Sequence, residues 1–314
     1  MKWRVLISAP YMIPVISEYE ATLRHHDIEA VVADVNERLD EGELLRWTKD
    51  VDGVICGDDR FTERVLQESP RLKVISKWGT GVDSIDREAA GRLGVAVYNT
   101  PGAFSEPVGD TVMGYILAFA RRLQAMDRDI RNGRWEKPRC ISLGECVLGV
   151  IGVGNSGKAV VRRAVAFGMR ILGNDPVSIP PAFALSTGIE TAAKDELLAR
   201  ADFVSLNCDL NPSSYHLMGE REFGLMKPTA FLINTARGPV VDESALVKAL
   251  QSRRIAGAAL DVFEMEPLPA ESPLRVLDNC LLAPHNANSS PTAAHRVHEN
   301  TVRNLIMGLN AASA

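Results

Sequence analysis

The sequence is short of the features that mark several protein classes. Its five cysteines, Cys56, Cys140, Cys146, Cys208 and Cys280, are an odd set without a CxxC pair or a paired Cys/His spacing. That argues against both a disulfide framework and a zinc site, and leaves the cysteines as small buried hydrophobes. Positive charge is not in surplus: 35 Lys and Arg stand against 40 Asp and Glu, for a formal net charge of -5. The basic residues are scattered rather than gathered in a stripe, so no nucleic-acid partner is expected. A long apolar run is also missing. The opening MKWRVLISAPYMIPVISEYE is interrupted by Pro10, Pro14 and Glu18 before it reaches signal-peptide or membrane-span length. The expectation is a cytoplasmic protein with no membrane partner.

What is present is the composition of a soluble globular chain, 46% hydrophobic and 24% charged. At 314 residues there is room for two domains, since single cores stop growing at roughly 250 to 300 residues. In the first hundred residues, WRVLIS, EAVVAD, VDGVIC, LKVIS and VAVYN read as strands, separated by stretches of helical period such as ERLDEGELLRW and TERVLQES. Strand then helix, repeated, implies an α/β fold whose parallel sheet is covered on both faces. A single long amphipathic helix is predicted from Ser105 to about Asn132, with Val112, Ile116, Leu117, Ala120 and Leu123 on one face and Gly133 closing it. A second alternation follows, with strands at VLGVIG, RILGND, FVSLN, AFLINT, IAGAALDV and CLLAP, before a final helix in the tail.

The second alternation opens with Gly152, Gly154 and Gly157 in the spacing GxGxxG. The pattern is weak alone, but here it follows a buried strand, opens an amphipathic helix and precedes a strand that ends in Asp175. Gly152 permits the tight turn, Gly154 lets backbone approach a pyrophosphate, and Gly157 lets the helix lie close on the strand. Amides near Asn155 and Ser156 face the phosphates at the positive helix end. Asp175 stands where a carboxylate accepts both ribose hydroxyls. Pro176, Val177 and Ser178 supply no arginine for a 2'-phosphate, so NAD is expected over NADP.

Three polar residues each follow a strand of this half: Arg237 after AFLINTA, Glu266 after AGAALDVFEM, and His285 after CLLAP. Carboxyl ends line the ligand crevice of an open parallel sheet, so the three converge beside the nucleotide. The set suits hydride transfer to a 2-keto acid, in which the protein binds the carboxylate, polarises the carbonyl and exchanges one proton. Arg237 has the planar fork of donors for the first two tasks. His285 suits the proton exchange, and Glu266 suits a partner that fixes its tautomer. Singly, each residue has a plainer reading as surface charge, loop acid or structural histidine. Their joint placement favours chemistry.

At these residues the chain resembles the D-isomer-specific 2-hydroxyacid dehydrogenase family. The matching stretches are KWGTGVDSID, YNTPGAFSEPVGD, VIGVGNSGKAVVRRAVAFGM, INTARGPVVDESAL, GAALDVFEMEPL and APHNA. The resemblance implies a Rossmann NAD-binding domain, 101–287, inserted into a flavodoxin-like substrate domain, 1–100 plus 288–314. It implies Arg237 as substrate binder, Glu266 as carboxylate partner and His285 as acid/base. The cofactor contacts it implies are Asn155, Ser156, Asp175, Thr235, Ala236, Arg237 and Asp261. The amides around Gly79, Thr80 and Gly81 would hold the substrate carboxylate, which suits a GTG turn with free amides. Lys77 just before the turn reads equally as a positive charge at the crevice or as a solvated strand-end lysine. A homodimer formed through the long helix is also implied.

Departures from the family pattern bear on the substrate. Cys56, Asp58 and Asp59 in ICGDDRF stand where relatives that take phosphoglycerate use polar and basic residues, and the two carboxylates are expected to repel a phosphate, with Arg60 as an offset. Asp209 replaces a usual proline, and Asn286, Ala287 and Asn288 follow the histidine in place of an apolar residue, glycine and serine. The leading expectation is interconversion of a small D-2-hydroxy acid and its 2-keto acid with NAD. The alternatives are an NAD-sensing non-catalytic binding protein, or a dehydrogenase of 3-phosphoglycerate or of a formate-like or phosphite-like anion.

Overall fold

A computed structural model describes residues 3–313. The chain divides into two compact units, Met1–Ala103 with Ser290–Ala314, and Phe104–Ser289. The second is therefore inserted into the first along the sequence.

In the first unit, β1 (Trp3–Ile7), β2 (Ile28–Val32), β3 (Gly53–Cys56), β4 (Val74–Lys77) and β5 (Ala96–Tyr98) form one parallel sheet in the order β2-β1-β3-β4-β5. β3 and β4 are buried at every position. That explains their largely apolar runs, the mark of strands covered on both faces. The helix Pro291–Ala311 packs on β3, β4 and β5. Gly308 allows the approach, since a Cβ there would lie 2.4 Å from Val74 Cγ2. The helical period that starts near Glu37 becomes helix only at Glu41, where Asp40 accepts from Glu43 N at 2.8 Å and Glu43 accepts from Asp40 N at 2.9 Å.

In the second unit, β6 (Val147–Ile151), β7 (Arg170–Asn174), β8 (Glu190–Thr191), β9 (Phe203–Leu206), β10 (Phe231–Asn234), β11 (Gly257–Leu260) and β12 (Cys280–Leu282) form a parallel sheet in the order β12-β11-β10-β9-β6-β7-β8. The chain builds outward from β6 to β8, then returns to lay β9 on the other side of β6. Ligands of open α/β sheets bind at the carboxyl ends beside such a reversal. The sequence pattern does not show β8, because it is two exposed residues paired only with β7.

The long helix expected from Ser105 to Asn132 is broken. Helices run Ser105–Ala120 and Leu123–Arg131, and Arg122 between them is left-handed at φ 53°. The cause lies downstream, where the amide of Ile141 takes the carbonyl of Ala120 at 3.0 Å and the Cys140 thiol donates to that of Arg121 at 3.4 Å. Val112, Ile116 and Ala120 are buried as expected, but Leu123 is exposed on the second helix. Gly133, at φ 74°, closes that second helix, its amide bonded to Ile130 O at 3.0 Å.

Candidate active site

The glycine turn sits at the carboxyl end of β6. Gly152 has φ 87°, and a Cβ there would lie 2.6 Å from Cys208 N and 2.7 Å from Asn207 C, so the loop after β9 presses on this turn. A Cβ on Gly157 would lie 2.0 Å from Gly152 O. Only glycine lets the helix Asn155–Ala166 start this close to the strand. Gly154 differs: a Cβ there meets nothing within 4 Å, and no side chain caps the helix it begins. Its bare backbone and the first helical amides, including those of Asn155 and Ser156, therefore front open space. Asp175, just past β7, accepts from Val153 N at 2.6 Å and from Val177 N at 2.7 Å. Each carboxylate oxygen keeps a lone pair for a further donor. On the neighbouring strand ends, Asn207 Oδ1 and Thr235 Oγ1 are buried polar atoms without a protein partner. An open glycine backbone, an uncapped helix start, a fixed carboxylate and two unmatched polar atoms fit a dinucleotide.

The loop after β10 carries Thr235, Ala236 and Arg237. Asn234, 1% exposed, folds it: its Oδ1 accepts from Ala236 N at 3.1 Å and its Nδ2 donates to Arg237 O at 3.0 Å. The Arg237 Nη1 donates to Ala236 O at 2.9 Å. Gly238 then brings this loop against the one after β11, because a Cβ there would lie 1.9 Å from Phe263 C and O. That second loop carries Glu266, whose Oε1 accepts from Phe263 N at 2.9 Å. Its Oε2 meets Nδ1 of His285 at 2.9 Å. Both side chains are partly accessible, Glu266 at 21% and His285 at 28%. The expected histidine–glutamate pair is thus formed, and the Arg237 loop is packed against its glutamate side.

His285 itself is left-handed at φ 52°, a conformation that costs a residue with a Cβ about 1 to 2 kcal/mol. Asp261 holds it there. Its carbonyl accepts from His285 N at 2.7 Å, and its carboxylate accepts from Asn286 N at 2.9 Å and from Ala287 N at 2.8 Å. The residue that the family resemblance implies as a cofactor contact is therefore occupied in clamping the histidine loop. Asn286 and Ala287 enter the clamp through their amides, which any residue but proline supplies. Asn234, Gly238 and the clamping role of Asp261 are not visible in the sequence. Their only signal is position at a strand end, with nothing in the residue type to separate them from ordinary loop residues.

In the other unit, Lys77 ends β4 and Trp78 N donates to Cys56 O at 2.9 Å. Gly79, at φ 121°, turns the chain. The carbonyls of this turn are taken: Gly79 O accepts from Thr100 N at 2.9 Å and Thr100 Oγ1 at 2.8 Å, and Thr80 O from Asn99 Nδ2 at 2.5 Å. Among the described residues, no protein acceptor is found for the amides of Gly79, Thr80 and Gly81. The turn is built to offer donors. Of the two acids expected to face a substrate, Asp59 points inward. It is fully buried and accepts from Ser8 Oγ and from Leu39 N, both at 2.6 Å. Burial pushes its carboxyl above the ordinary Asp value. Asp58 instead pairs with Lys77 Nζ at 3.0 Å.

A glycine turn and fixed carboxylate at one reversal of a parallel sheet, with an imidazole–carboxylate pair at neighbouring strand ends, define a dinucleotide-dependent oxidoreductase. Similarity to known proteins gives its kind. The sequence profile described as D-isomer specific 2-hydroxyacid dehydrogenase, NAD binding domain, matches residues 113–287. A glyoxylate reductase of Korarchaeum cryptofilum is 40% identical over 270 residues, 84% of this chain and 81% of that enzyme. A D-3-phosphoglycerate dehydrogenase of Methanocaldococcus jannaschii is 41% identical over 278 residues, 86% of this chain but 53% of that enzyme. The crystal structure of D-lactate dehydrogenase from Aquifex aeolicus complexed with NAD and lactic acid superposes with a TM-score of 0.84 at 28% identity, covering 96% of this chain and 93% of that one. The chain belongs to the D-isomer-specific 2-hydroxyacid dehydrogenases, NAD-dependent oxidoreductases acting on a CH–OH group.

Proposed function

We propose that the protein interconverts a small 2-keto acid and its D-2-hydroxy acid with NAD in preference to NADP, His285 exchanging the proton. The 2.9 Å contact of His285 Nδ1 with Glu266 Oε2 carries this reading. It commits Nδ1–H to the carboxylate and leaves Nε2 as the atom that meets the carbonyl oxygen.

When bound on the glycine turn and by Asp175, NADH supplies a hydride to the carbonyl carbon. Arg237 pulls electron density toward the carbonyl oxygen and holds the acid end of the substrate. The π electrons of the carbonyl move to that oxygen, which takes the proton from His285 Nε2, and the hydroxy acid is complete. The neutral imidazole recovers a proton from water. In the oxidative direction the same atom removes the hydroxyl proton. Gly79, Thr80 and Gly81 bind the substrate carboxylate with their amides. Relatives named glyoxylate reductase support a substrate with little or no side chain.

The test is NADH consumption, followed by absorbance, with glyoxylate, hydroxypyruvate, pyruvate and longer 2-keto acids. His285→Ala is expected to keep NADH affinity and lose a factor of about 10² to 10⁴ in kcat, the usual worth of a positioned acid. Absence of turnover with every keto acid, or unchanged kcat in the variant, refutes the proposal.

A further inference from the structure

The turn Gly79–Gly81 adjoins a buried cation whose charge is already matched. Lys77 is 4% exposed, and an ammonium so far from water needs acceptors. It has two: Trp78 O at 3.0 Å and Asp58 Oδ1 at 3.0 Å. The same Nζ lies 3.5 Å from where a Cβ on Gly79 would stand, so it rests against the turn. Trp78, the next residue, is fixed in the wall by Tyr11, whose ring stacks on it at 4.7 Å and 22°. Asp58 is 41% exposed. Asp59 is turned inward onto Ser8 and Leu39 and makes no ion pair with Lys77, although burial, which raises its pKa, is partly opposed by those two hydrogen bonds and by the lysine's charge.

We propose that Asp58 determines specificity: by holding the Lys77 ammonium it limits this turn to substrates with a single carboxylate, and turns away keto acids that carry a second anionic group. The inference rests on the reading of the turn as the substrate-carboxylate site. The three amides of this turn add donors for one carboxylate without adding a full charge to that of the proposed Arg237 contact. Lys77 and Asp58 together add no net charge. A phosphate or second carboxylate drawn to Lys77 meets an anion already in place, and like charges at short range repel. Without Asp58, the same lysine loses its ion-pair partner beside the turn and keeps only the Trp78 carbonyl as a hydrogen-bond acceptor, and a dianion supplies the missing anion.

The experiment compares pyruvate with oxaloacetate, which differ by one carboxylate, and adds 3-phosphohydroxypyruvate as the phosphate case. Asp58→Asn keeps an oxygen acceptor for Lys77 and removes the charge. Its ratio of kcat/KM for oxaloacetate over pyruvate is expected to rise about tenfold or more, mostly through KM. Phosphohydroxypyruvate should gain at least as much, and Asp58→Asn/Lys77→Met should bring both ratios back to those of the parent or lower. Asp58→Ser serves as a second neutral variant should the first fold poorly.

A parallel arm omits NADH. Each anion is titrated against tryptophan fluorescence, with Trp78→Phe as the control that assigns the signal to this turn, and against thermal stability. The dianions should bind and stabilise Asp58→Asn more than the parent. Failure of turnover in the parent with the anion titration behaving as expected would refute the proposed reaction and leave this specificity role standing. Ratios unmoved within about twofold in both neutral variants, or no binding of any of these anions at the turn, would overturn it.

Discussion

Asp261→Asn separates the histidine's chemistry from the frame that holds it. Asp261 is 1% exposed and lies just past β11. Its two carboxylate oxygens each accept one amide, from Asn286 at 2.9 Å and Ala287 at 2.8 Å. Asparagine has the same shape but one oxygen, so one of those amides would face an NH₂ group. A lost hydrogen bond to a charged acceptor is worth about 1.5 to 3 kcal/mol, and the orphaned buried donor adds to it. Against this stands the left-handed His285, at φ 52°, whose strain of about 1 to 2 kcal/mol is released if the loop lets go. Loss of about 2 to 3 kcal/mol therefore exceeds what the loop needs to relax. At roughly 2 to 4 °C per kcal/mol for a domain of this size, the melting temperature should fall by about 4 to 12 °C. A shift of about 1 Å at His285 would lower kcat by about 10². The assays are calorimetry and keto-acid reduction, with His285→Ala as background: once the imidazole is gone, Asp261→Asn should lower kcat no further. A variant that melts within about 2 °C of the parent and turns over within about twofold of it would refute the clamp. A lower melting temperature with unchanged kcat would leave Asp261 a purely structural residue.

Asp175→Ala should weaken NADH and leave NADPH less disfavoured, since it removes the carboxylate fixed by Val153 N and Val177 N; an unchanged ratio of the two affinities would show that selectivity lies elsewhere. Arg237→Lys should raise KM for the keto acid and lower kcat while sparing NADH affinity, because an ammonium cannot present two parallel donors to a carboxylate; unchanged kinetic constants would remove the guanidinium from substrate binding. His298 has its pKa lowered from the ordinary 6.5, chiefly by burial with a contribution from nearby His295, against the opposing effects of Tyr11's backbone and Glu18. Its contribution to stability is present above 6.5 and is lost as pH falls through the lowered native value. Its ring lies 5.8 Å from that of Trp78, so the fluorescence change that Trp78→Phe abolishes should have a midpoint below 6.5. A midpoint at or above that value would contradict the direction.

The sheet strands were legible because burial on both faces writes itself as short apolar runs such as GVIC and VLGVI, bounded by turn residues and too brief for a helix. The glycine turn was legible because GxGxxG follows a buried strand and opens a helix, and the His285–Glu266 pair because both residues follow strands of the same half. The break at Arg122 was not, since it comes from Ile141 N capturing Ala120 O, a contact between segments separated along the chain. Local period carries no trace of such a competitor. The orientation of Asp58 and Asp59 was hidden for a related reason. Adjacent acids look alike in sequence, and only the positions of Ser8, Leu39 and Lys77 decide that one faces the core and the other the lysine.

The residues proposed for the chemistry and those that place them differ in kind. Arg237, Glu266 and His285 are drawn from loops, and each is partly accessible. Asn234, Gly238 and Asp261 are buried, and each ties a loop to a strand end: Asn234 folds the arginine loop on itself, Gly238 admits the backbone of Phe263, and Asp261 holds the histidine loop. The spacing of the histidine–glutamate pair thus depends on buried groups that tie loops to strand ends. The specificity role proposed for Asp58, through Lys77, involves none of these framing residues.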